Sequence, residues 1–388
     1  MTGSGHADAL LRATFDVVPD GVWAAPGRVN LIGEHLDYNG GPSLPFALPQ
    51  RTYAAVRRRN DDVVRVVSGL APGQPWIGTT AEVRPGGVSG WAAYATGPLW
   101  ALRMDGLEVG GFDAALASTV PVGAGLSSSA AIECAVALAL DDCFGLGLAA
   151  AGDTGRRTLA QACVRAENEV AGAPTGGMDQ AASLLSRNGH ALLLDPHLPA
   201  PDHVPLDLTA HDLEILVIDT LATHSLDDGQ YAKRRTACES AAARLGVDFL
   251  ANIDDAARAL MSLPDEEEQR LTLHVISETR RTRTVVDLLR ESRIHEIGDL
   301  LRESHESLRD DYRVSCPELD IAVEAAMAAG ALGARMTGGG FGGSAIALTP
   351  TALVQWVEES VTRTYLARGW AAPGFHRAVP SEGAARTA

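Results

Sequence analysis

A segment rich in glycine and serine is the part of the sequence best suited to chemistry. Residues 121–131 read Pro-Val-Gly-Ala-Gly-Leu-Ser-Ser-Ser-Ala-Ala and join a predicted strand at 112–120 to a predicted helix over 129–144. Glycines let the backbone turn tightly with its N–H groups converging, and a helix N-terminus adds N–H groups and a positive dipole end. An ordinary glycine turn with a serine N-cap is the alternative, but three consecutive serines add hydroxyl donors or a magnesium ligand. The segment therefore predicts a loop that binds phosphate.

A second glycine cluster, at residues 337–343, matches the letters of the dinucleotide-binding motif G-x-G-x-x-G. That motif requires a helix directly after the glycines. Here residues 344–348 form an apolar run that is better suited to a strand. We therefore expect a tight backbone loop close to a ligand instead of a dinucleotide site.

Lysine is nearly absent from the sequence, because Lys233 is the only one. A Walker A loop needs a lysine before Ser or Thr, and a protein kinase needs one on an early strand. Lys233 lies in Tyr-Ala-Lys-Arg and fits neither pattern. Both classes are excluded, so nucleotide chemistry here would have to use arginine, backbone amides and Mg²⁺.

Residues 26–48 bring several polar groups together in an apolar, glycine-rich context. Glu34, His35 and Asp37 are crowded between two glycines. Carboxylates that accept hydrogen bonds from several hydroxyl groups are what a sugar site requires, although a solvated turn would explain them as well. Arg28 has apolar neighbours, and a buried arginine usually faces an anion.

Two further carboxylates have open assignments. Asp179 follows Thr-Gly-Gly-Met and could be a catalytic group or a helix cap, and its spacing favours neither. Glu167 lies two to three turns into a helix predicted over about 153–170. On its own, a glutamate at such a position is more often a solvated helix residue than a metal ligand.

The elements that position these groups predict two domains. At about 150 residues per domain, the 388 residues correspond to two, and we place the division after residue 205. The first half mixes strands at 52–58, 63–68, 112–120 and 190–195 with helices. The second half is expected to contain a strand at 213–219, helices at about 230–245, 266–291, 295–309, 317–330 and 350–367, and strands near 333–337 and 344–348. We expect the tail from Pro380 to fray.

The composition indicates which kinds of binding partner and which cellular compartment to expect. The net charge is −17 with no basic face, which argues against binding to nucleic acid or an anionic membrane surface. Five cysteines without a C-x-x-C pair indicate reduced thiols in a cytoplasm. Residues 1–16 lack the pattern of a signal peptide, and the apolar stretch 130–151 is broken by three acids. We expect a cytoplasmic enzyme of small molecules, monomeric or weakly homo-oligomeric.

Taken together, these motifs resemble the GHMP family of small-molecule kinases and, within it, the galactokinase branch. The similar segments cover nearly the whole chain: the sugar signature at 26–48, the ATP loop at 121–131, the catalytic-aspartate segment at 177–180, a stretch from His224-Ser225-Leu226 through Tyr231 to Arg234-Arg235, and the third motif at 336–343. The resemblance implies a two-domain α/β (α+β) fold with the site in the cleft. It would have a mixed N-terminal sheet with helices, like the second domain of ribosomal protein S5, and a ferredoxin-like C-terminal domain.

The resemblance also implies a reaction and roles for residues. ATP would phosphorylate the C1 hydroxyl of α-D-galactose to give galactose 1-phosphate, the first committed step of galactose metabolism. Asp179 would accept the hydroxyl proton, and Arg28 would keep Asp179 ionised and offset charge on the transferred phosphoryl group. Ser129 and Glu167 would hold Mg²⁺. The implied sugar contacts are Glu34, His35, Leu36, Asp37, Gly176 and Tyr231. The implied ATP contacts are Gly123, Ala124, Gly125, Leu126, Ser127, Ser128 and Ser129, with Ser68 near the adenine.

Two departures from the family pattern leave the sugar open. Leu36 stands where galactokinases usually have threonine, and residues 172–177 replace the usual Cys-Gly-Ile. Arabinose, N-acetylgalactosamine or another sugar is therefore an alternative to galactose. A non-catalytic galactose and ATP sensor is a further alternative, but such relatives have lost part of the serine-alanine loop. Residues 127–131, Arg28 and Asp179 are all present here, which predicts catalysis.

Overall fold

The computed structural model describes residues 3–173, 175–222 and 229–388. The helices are α1 (Gly3–Phe15), α2 (Trp91–Met104), α3 (Ser128–Phe144), α4 (Asp153–Arg165), α5 (Met178–Leu185), α6 (Gln230–Leu245), α7 (Ala256–Ser262), α8 (Glu266–Arg290), α9 (Gly298–Asp310), α10 (Pro317–Ala328) and α11 (Val354–Ala367). The strands are β1 (Gly21–Asn30), β2 (Pro45–Arg58), β3 (Val63–Ser68), β4 (Ala71–Thr79), β5 (Phe112–Ser118), β6 (His190–Leu193), β7 (Asp202–Pro205), β8 (Leu213–Asp219), β9 (Gly333–Thr337), β10 (Ser344–Pro350), β11 (Gly374–Ala378) and β12 (Ala385–Arg386).

A mixed sheet of six strands organises the first half of the chain. Its order is β12-β1-β2-β5-β3-β4, and only β3 and β5 run parallel to each other. Side chains alternate between its two faces, as a strand's period of two requires. Val22 and Ala55 face α1, whereas Trp23 and Val56 belong to the core that includes α2 and α3. Since both faces are covered, all ten residues of β1 are buried.

An antiparallel sheet of four strands organises the second half, in the order β11-β8-β10-β9. In chain order the strands are β8, β9, β10 and β11, with helices between the first two and between the last two. This β-α-β-β-α-β sequence with its strand order is the arrangement of a ferredoxin-like domain. The mixed first sheet and the ferredoxin-like second sheet were both expected, and both are confirmed.

The end of the chain corrects one expectation. The tail from Pro380 does not fray, because β12 pairs with β1 and joins Ala385 to Ala24 and Arg386 to Trp23. The described tail thus returns to the sheet of the first half. A division after residue 205 stays a prediction, with the qualification that the last strand belongs to the other sheet.

The two glycine-rich segments occupy different kinds of connection. The first joins β5 to α3, as predicted. The second is the loop of the β9–β10 hairpin, in which Thr337 pairs with Ser344. A strand follows those glycines, so the interpretation against a dinucleotide-binding motif is confirmed.

Candidate active site

An arginine–aspartate pair lies at the centre of the site. Arg28 Nε and Nη2 donate to the two carboxylate oxygens of Asp179 at 2.7 and 2.9 Å. Their side chains are 7% and 20% exposed, respectively, so the pair is largely shielded from water while one edge of the carboxylate stays accessible. This fork-to-fork geometry fixes the orientation of the carboxylate.

Strand β1 brings this pair against the glycine–serine loop. The register of β1 with β2 shifts between Pro26 and Arg28, a bulge that redirects the strand. A Cβ on Gly27 would lie 2.5 Å from the carbonyl oxygen of Leu126, so only glycine allows this approach. Arg28 then donates from its backbone N–H to the Leu126 oxygen at 3.1 Å and from Nη1 to the Gly125 oxygen at 2.6 Å.

The loop alternates between buried and outward-facing residues. Ala124 and Leu126 are almost fully buried, and they pack in the core between the two sheets. Gly123, Gly125 and Ser127 alternate with them along the chain and have positive φ angles of 82°, 72° and 59°. The loop is therefore anchored by two apolar side chains, and its glycines are the accessible positions between and beside them.

The serines begin α3 and connect the loop to the aspartate. The Ser127 hydroxyl donates to Asp179, and Ser128 is the first residue of α3. Ser129 follows within the first helical turn, close enough to Glu167 for its hydroxyl to lower the pKa of that carboxyl. A helix N-terminus that faces the same space as an arginine is a favourable site for phosphate groups.

Glu167 is placed beside the pair by an irregular helix. It lies in a π-helical segment, Ala166–Ala171, that follows α4. Burial, then the negative charge of Asp179, raises the pKa of Glu167 to about 7. Gln180 Nε2 donates to Glu167 at 2.5 Å and to the buried Glu133 at 3.1 Å. Glu167 is thus a held carboxylate beside the serines instead of a solvated helix residue.

The donor set around Ser129 and Glu167 fits Mg²⁺. A hydroxyl and a carboxylate are hard oxygen ligands, and Mg²⁺ is usually held by one or two carboxylates together with substrate phosphates. The described residues contain no group of three or more His, Cys, Asp and Glu side chains suited to a metal, so a cage built by protein alone is not formed in them.

Asp37 and Gly176 approach each other closely in the neighbourhood of Asp179. An ideal Cβ on Gly176 would lie 1.8 Å from Asp37 Oδ2, so any side chain there must push the Asp37 carboxylate aside. Asp37 is partly buried, and desolvation followed by the charge of Asp179 raises its pKa to about 6. A cavity of about 430 Å³ opens beside these two residues and extends toward Arg157, Met178 and Pro199.

Gly176→Ala is expected to raise the KM for sugar at least tenfold, because the new methyl group must displace the Asp37 carboxylate. A displacement of about 1 Å in a positioning group can cost up to a hundredfold in activity. Steady-state kinetics with a varied sugar concentration measure the change. Gly73→Ala is the matched control, since a Cβ there meets nothing within 4 Å. Equal KM values for the two variants would contradict the role of Gly176 as the spacer for Asp37.

Aromatic rings surround His35. Its ring centroid lies 4.7 Å from Tyr312 and 5.6 Å from Tyr231, and its Nδ1 is 2.9 Å from the hydroxyl of Tyr38. Burial, with the nearby His274 second, lowers the pKa of His35 to about 3. His35 is therefore neutral and serves as a hydrogen-bonding and packing group rather than as a cation. Tyr231 is partly buried, and burial followed by the charges of Asp37 and Asp179 raises its pKa well above 10.

Glu34 is buried beneath this cluster and is bound to the second half of the chain. It forms an ion pair with Arg335, and its Oε1 accepts from the backbone N–H of Gly338 at 3.0 Å and from the hydroxyl of Thr337 at 3.2 Å. Burial raises the pKa of Glu34, whereas Arg335 opposes that effect. The sugar signature and the third motif are thus joined at this carboxylate.

Two of the predicted site residues lie away from this centre. Leu36 is fully buried and its side chain packs in the hydrophobic core of the second half, so its contact with the sugar stays a prediction. Ser68 ends β3 beside β5, and its hydroxyl accepts from the N–H of Leu70. The expected stretch at His224, Ser225 and Leu226 lies outside the described residues.

Sequence reasoning missed three residues of this network. Gln180 directly follows Asp179, and Glu133 is an acid within the apolar run of α3, a signal in itself because buried acids are rare without partners. Arg335 lies in an apolar strand, as Arg28 does. The argument that a buried arginine usually faces an anion could have been applied to Arg335 as it was to Arg28.

Comparison with known proteins identifies the family. The family model described as the galactokinase galactose-binding signature matches residues 9–58. The models for the N-terminal and C-terminal domains of GHMP kinases match residues 93–187 and 285–366.

Relatives and solved structures agree over the full length. The galactokinase of Streptomyces coelicolor is 50% identical over 99% of this chain and 98% of its own length. That of Mycobacterium tuberculosis is 41% identical over 94% of this chain and 98% of its own. The crystal structure of Lactococcus lactis galactokinase complexed with galactose superposes with a TM-score of 0.92 at 30% identity, and covers 98% of both chains. The mevalonate kinase of Methanococcus jannaschii shares the fold at a TM-score of 0.62 and 15% identity over 93% of this chain and 98% of its own. The two-domain fold expected from the sequence is therefore confirmed, and the chain belongs to the galactokinase family of the GHMP kinases.

Proposed function

We propose that the chain transfers the γ-phosphoryl group of ATP to the C1 hydroxyl of α-D-galactose and releases ADP and galactose 1-phosphate. The observation that carries this proposal is the bidentate Arg28–Asp179 pair, held against the glycine–serine loop. Galactokinase relatives that match almost the whole chain support galactose as the substrate. They do not favour another sugar or a non-catalytic sensor.

Asp179 is the group proposed to accept the proton. As the C1 oxygen forms its bond to the γ-phosphorus, the bond from that phosphorus to the bridging oxygen of ADP breaks, and the hydroxyl proton passes to the Asp179 carboxylate. Arg28 and the Ser127 hydroxyl hold that carboxylate in one orientation. Phosphoryl transfer depends mainly on positioning and charge stabilisation, and the arginine supplies both.

The phosphates of ATP are proposed to lie along Gly123–Ser129. The apolar anchors of that loop keep its backbone fixed, so its N–H groups need no reorganisation when phosphate binds. Ser129 and Glu167 would hold Mg²⁺, which supplies charge neutralisation on the phosphate oxygens when it is bound. Ser68, at the end of β3 in the first sheet, remains a proposed neighbour of the adenine.

The sugar is proposed to contact Glu34, His35, Asp37, Gly176 and Tyr231. These residues offer carboxylates, a neutral imidazole, a phenol hydroxyl and an aromatic face, which together suit a ligand with several hydroxyl groups. Since Leu36 packs in the core, its difference from the usual threonine bears on packing beneath the sugar.

A panel of sugars tests the substrate. ADP release would be measured with galactose, arabinose, N-acetylgalactosamine, glucose and a no-sugar control at matched concentrations. We expect the highest kcat/KM with galactose. Robust turnover of another sugar without turnover of galactose would overturn the substrate assignment. If no sugar in the panel supports ADP release, the proposed phosphoryl transfer itself is overturned.

The acidity of Asp37 predicts a pH dependence. Its raised pKa of about 6 means that the carboxylate is protonated below that pH and then accepts poorly from sugar hydroxyls. The value of kcat/KM for galactose is expected to fall by up to about tenfold for each pH unit below about 6, because it reports groups of the free enzyme. Kinetics between about pH 5 and pH 8 measure it, with circular dichroism to verify folding. An identical acidic limb in Asp37→Asn would show that another group is responsible.

Location and assembly are further parts of the proposal. All five cysteines are free, which supports a reducing compartment such as the cytoplasm. Among the described residues, no helix combines the length and the apolar character needed to cross a membrane. We propose a monomer or weak homo-oligomer whose partners are small molecules, with no nucleic acid or membrane partner.

A further inference from the structure

A buried ionic cluster lies beneath the sugar signature and is built mainly by the second half of the chain. Arg335 on β9 is fully buried and reaches across to residues of the first half. Its Nη1 donates to the carbonyl oxygens of Leu31 at 3.1 Å and Asn30 at 3.4 Å, and its Nη2 is paired with the carboxylate of Glu34. One side chain therefore fixes both the backbone and the acid of this segment.

Helices α8 and α9 complete the cluster from below. The Arg335 Nε donates to the Ser304 hydroxyl at 3.1 Å, and that hydroxyl donates to Glu278 Oε1 at 2.6 Å. Glu278 also accepts from the backbone N–H of Gly33 at 3.1 Å and from Arg281 at 2.9 Å. Two arginines thus balance two glutamates, which is the condition under which charges are tolerated in a protein interior.

From these contacts we infer that Arg335 is a positioning residue for sugar binding, and that it acts through Glu34 and the backbone of residues 30–34. The inference rests on the proposed function for the site itself. Glu34 is the only acid of the sugar signature that is buried this deeply, at 3% exposure. A buried carboxylate keeps a defined place only when its partners are fixed, and Arg335 is itself held by the Ser304 hydroxyl and the Leu31 carbonyl oxygen.

The glycine–serine loop has a separate anchor, so effects on galactose binding can be distinguished from effects on ATP binding. Ser344, at the start of β10, donates to the carbonyl oxygen of Ala124 at 2.7 Å. It is buried as completely as Ser304. Ser304→Ala and Ser344→Ala therefore remove equivalent buried hydroxyls, one beneath the sugar signature and one beneath the loop.

Arg335→Lys tests the inference, because lysine keeps the charge but cannot form the planar fork. We expect the KM for galactose to rise at least tenfold and the KM for ATP to change less than twofold. The dissociation constant for galactose, measured by calorimetry, should rise by the same factor as its KM. Ser304→Ala should show the same pattern more weakly, at two- to fivefold. Ser344→Ala should raise the KM for ATP instead.

Thermal melting of each variant sets a temperature at which all are folded, and Ser304→Ala serves if Arg335→Lys does not fold. An unchanged KM for galactose in the folded variants would overturn the inference. Equal increases in the KM values for galactose and ATP, in both Arg335→Lys and Ser344→Ala, would also overturn it, because they indicate a general loosening of the structure. Failure of the proposed function looks different: the unaltered protein would not turn over galactose at all.

Discussion

Asp179→Asn is expected to lower kcat for galactose phosphorylation by about a thousandfold and to leave galactose binding largely intact. The amide has nearly the same shape but cannot accept the C1 hydroxyl proton, and a positioned general base contributes about 10²–10⁴-fold. The substitution also replaces one charged acceptor of Arg28 by an amide, which weakens the 2.7 and 2.9 Å contacts that hold the pair. Initial rates of ADP release measure kcat, and calorimetry with galactose measures binding.

Asp153→Asn is the control for that experiment. Asp153 also pairs with an arginine, Arg187, at 2.9 Å, but both side chains are 55% exposed and lie on α4 and after α5, away from the pair. Exposed ion pairs contribute about 0–1 kcal/mol, so this variant should keep its activity and its melting temperature. Near-normal kcat in Asp179→Asn would show that Asp179 is not the proton acceptor.

The longer helices of the second half, α6 and α8 to α11, could be predicted to within a few residues because their signals are local, whereas the short α7 was not predicted. Helix α8 was expected over 266–291 and is found at Glu266–Arg290. Its N-cap, Asp265, accepts hydrogen bonds from the backbone N–H groups of Glu267 and Glu268. An N-cap of this kind can be recognised from neighbouring residues alone. Strand β8 was expected and found at 213–219 for the same reason, since it is a short apolar run between turn residues.

Strand β1 could not be predicted, although it carries the central arginine. Pro26 and Gly27 in its middle would ordinarily end a strand. The strand accommodates Pro26 because its register shifts at a bulge between Pro26 and Arg28. Gly27 is required by the close approach of the neighbouring loop at Leu126 and not by a turn. The cause lies about 100 residues away in sequence, at Leu126, where local patterns carry no information.

The site residues were predictable as a set, but their contacts were not. Arg28 and Asp179 are separated by 151 positions, and Glu34 and Arg335 bond through elements of different halves. Leu36 shows that a sequence position does not tell where a side chain points, since it lies within the sugar signature but packs in the core. His35 has a positive φ of 62°, so the chain changes direction there and sends the next side chain into the core.

Arg28→Lys is expected to reduce kcat by about a hundredfold while the KM for galactose changes by less than threefold. Arginine satisfies three acceptors at once, namely both oxygens of Asp179 and the Gly125 carbonyl oxygen at 2.6 Å. Lysine keeps the positive charge, but its point-like ammonium cannot bridge these acceptors in one plane. Removal of one preorganised donor from a developing charge costs about 10²–10³-fold in kcat in other enzymes.

The comparison with Arg187→Lys separates this geometric effect from a general intolerance of lysine. Arg187 makes a single contact with Asp153 and is exposed, so its replacement by lysine should leave kcat unchanged. Single-turnover measurements, in which the enzyme exceeds galactose, isolate the chemical step from product release. If Arg28→Lys keeps its single-turnover rate, charge alone is sufficient at this position. The bidentate fork would then be a structural tie between β1 and α5 instead of a part of phosphoryl transfer.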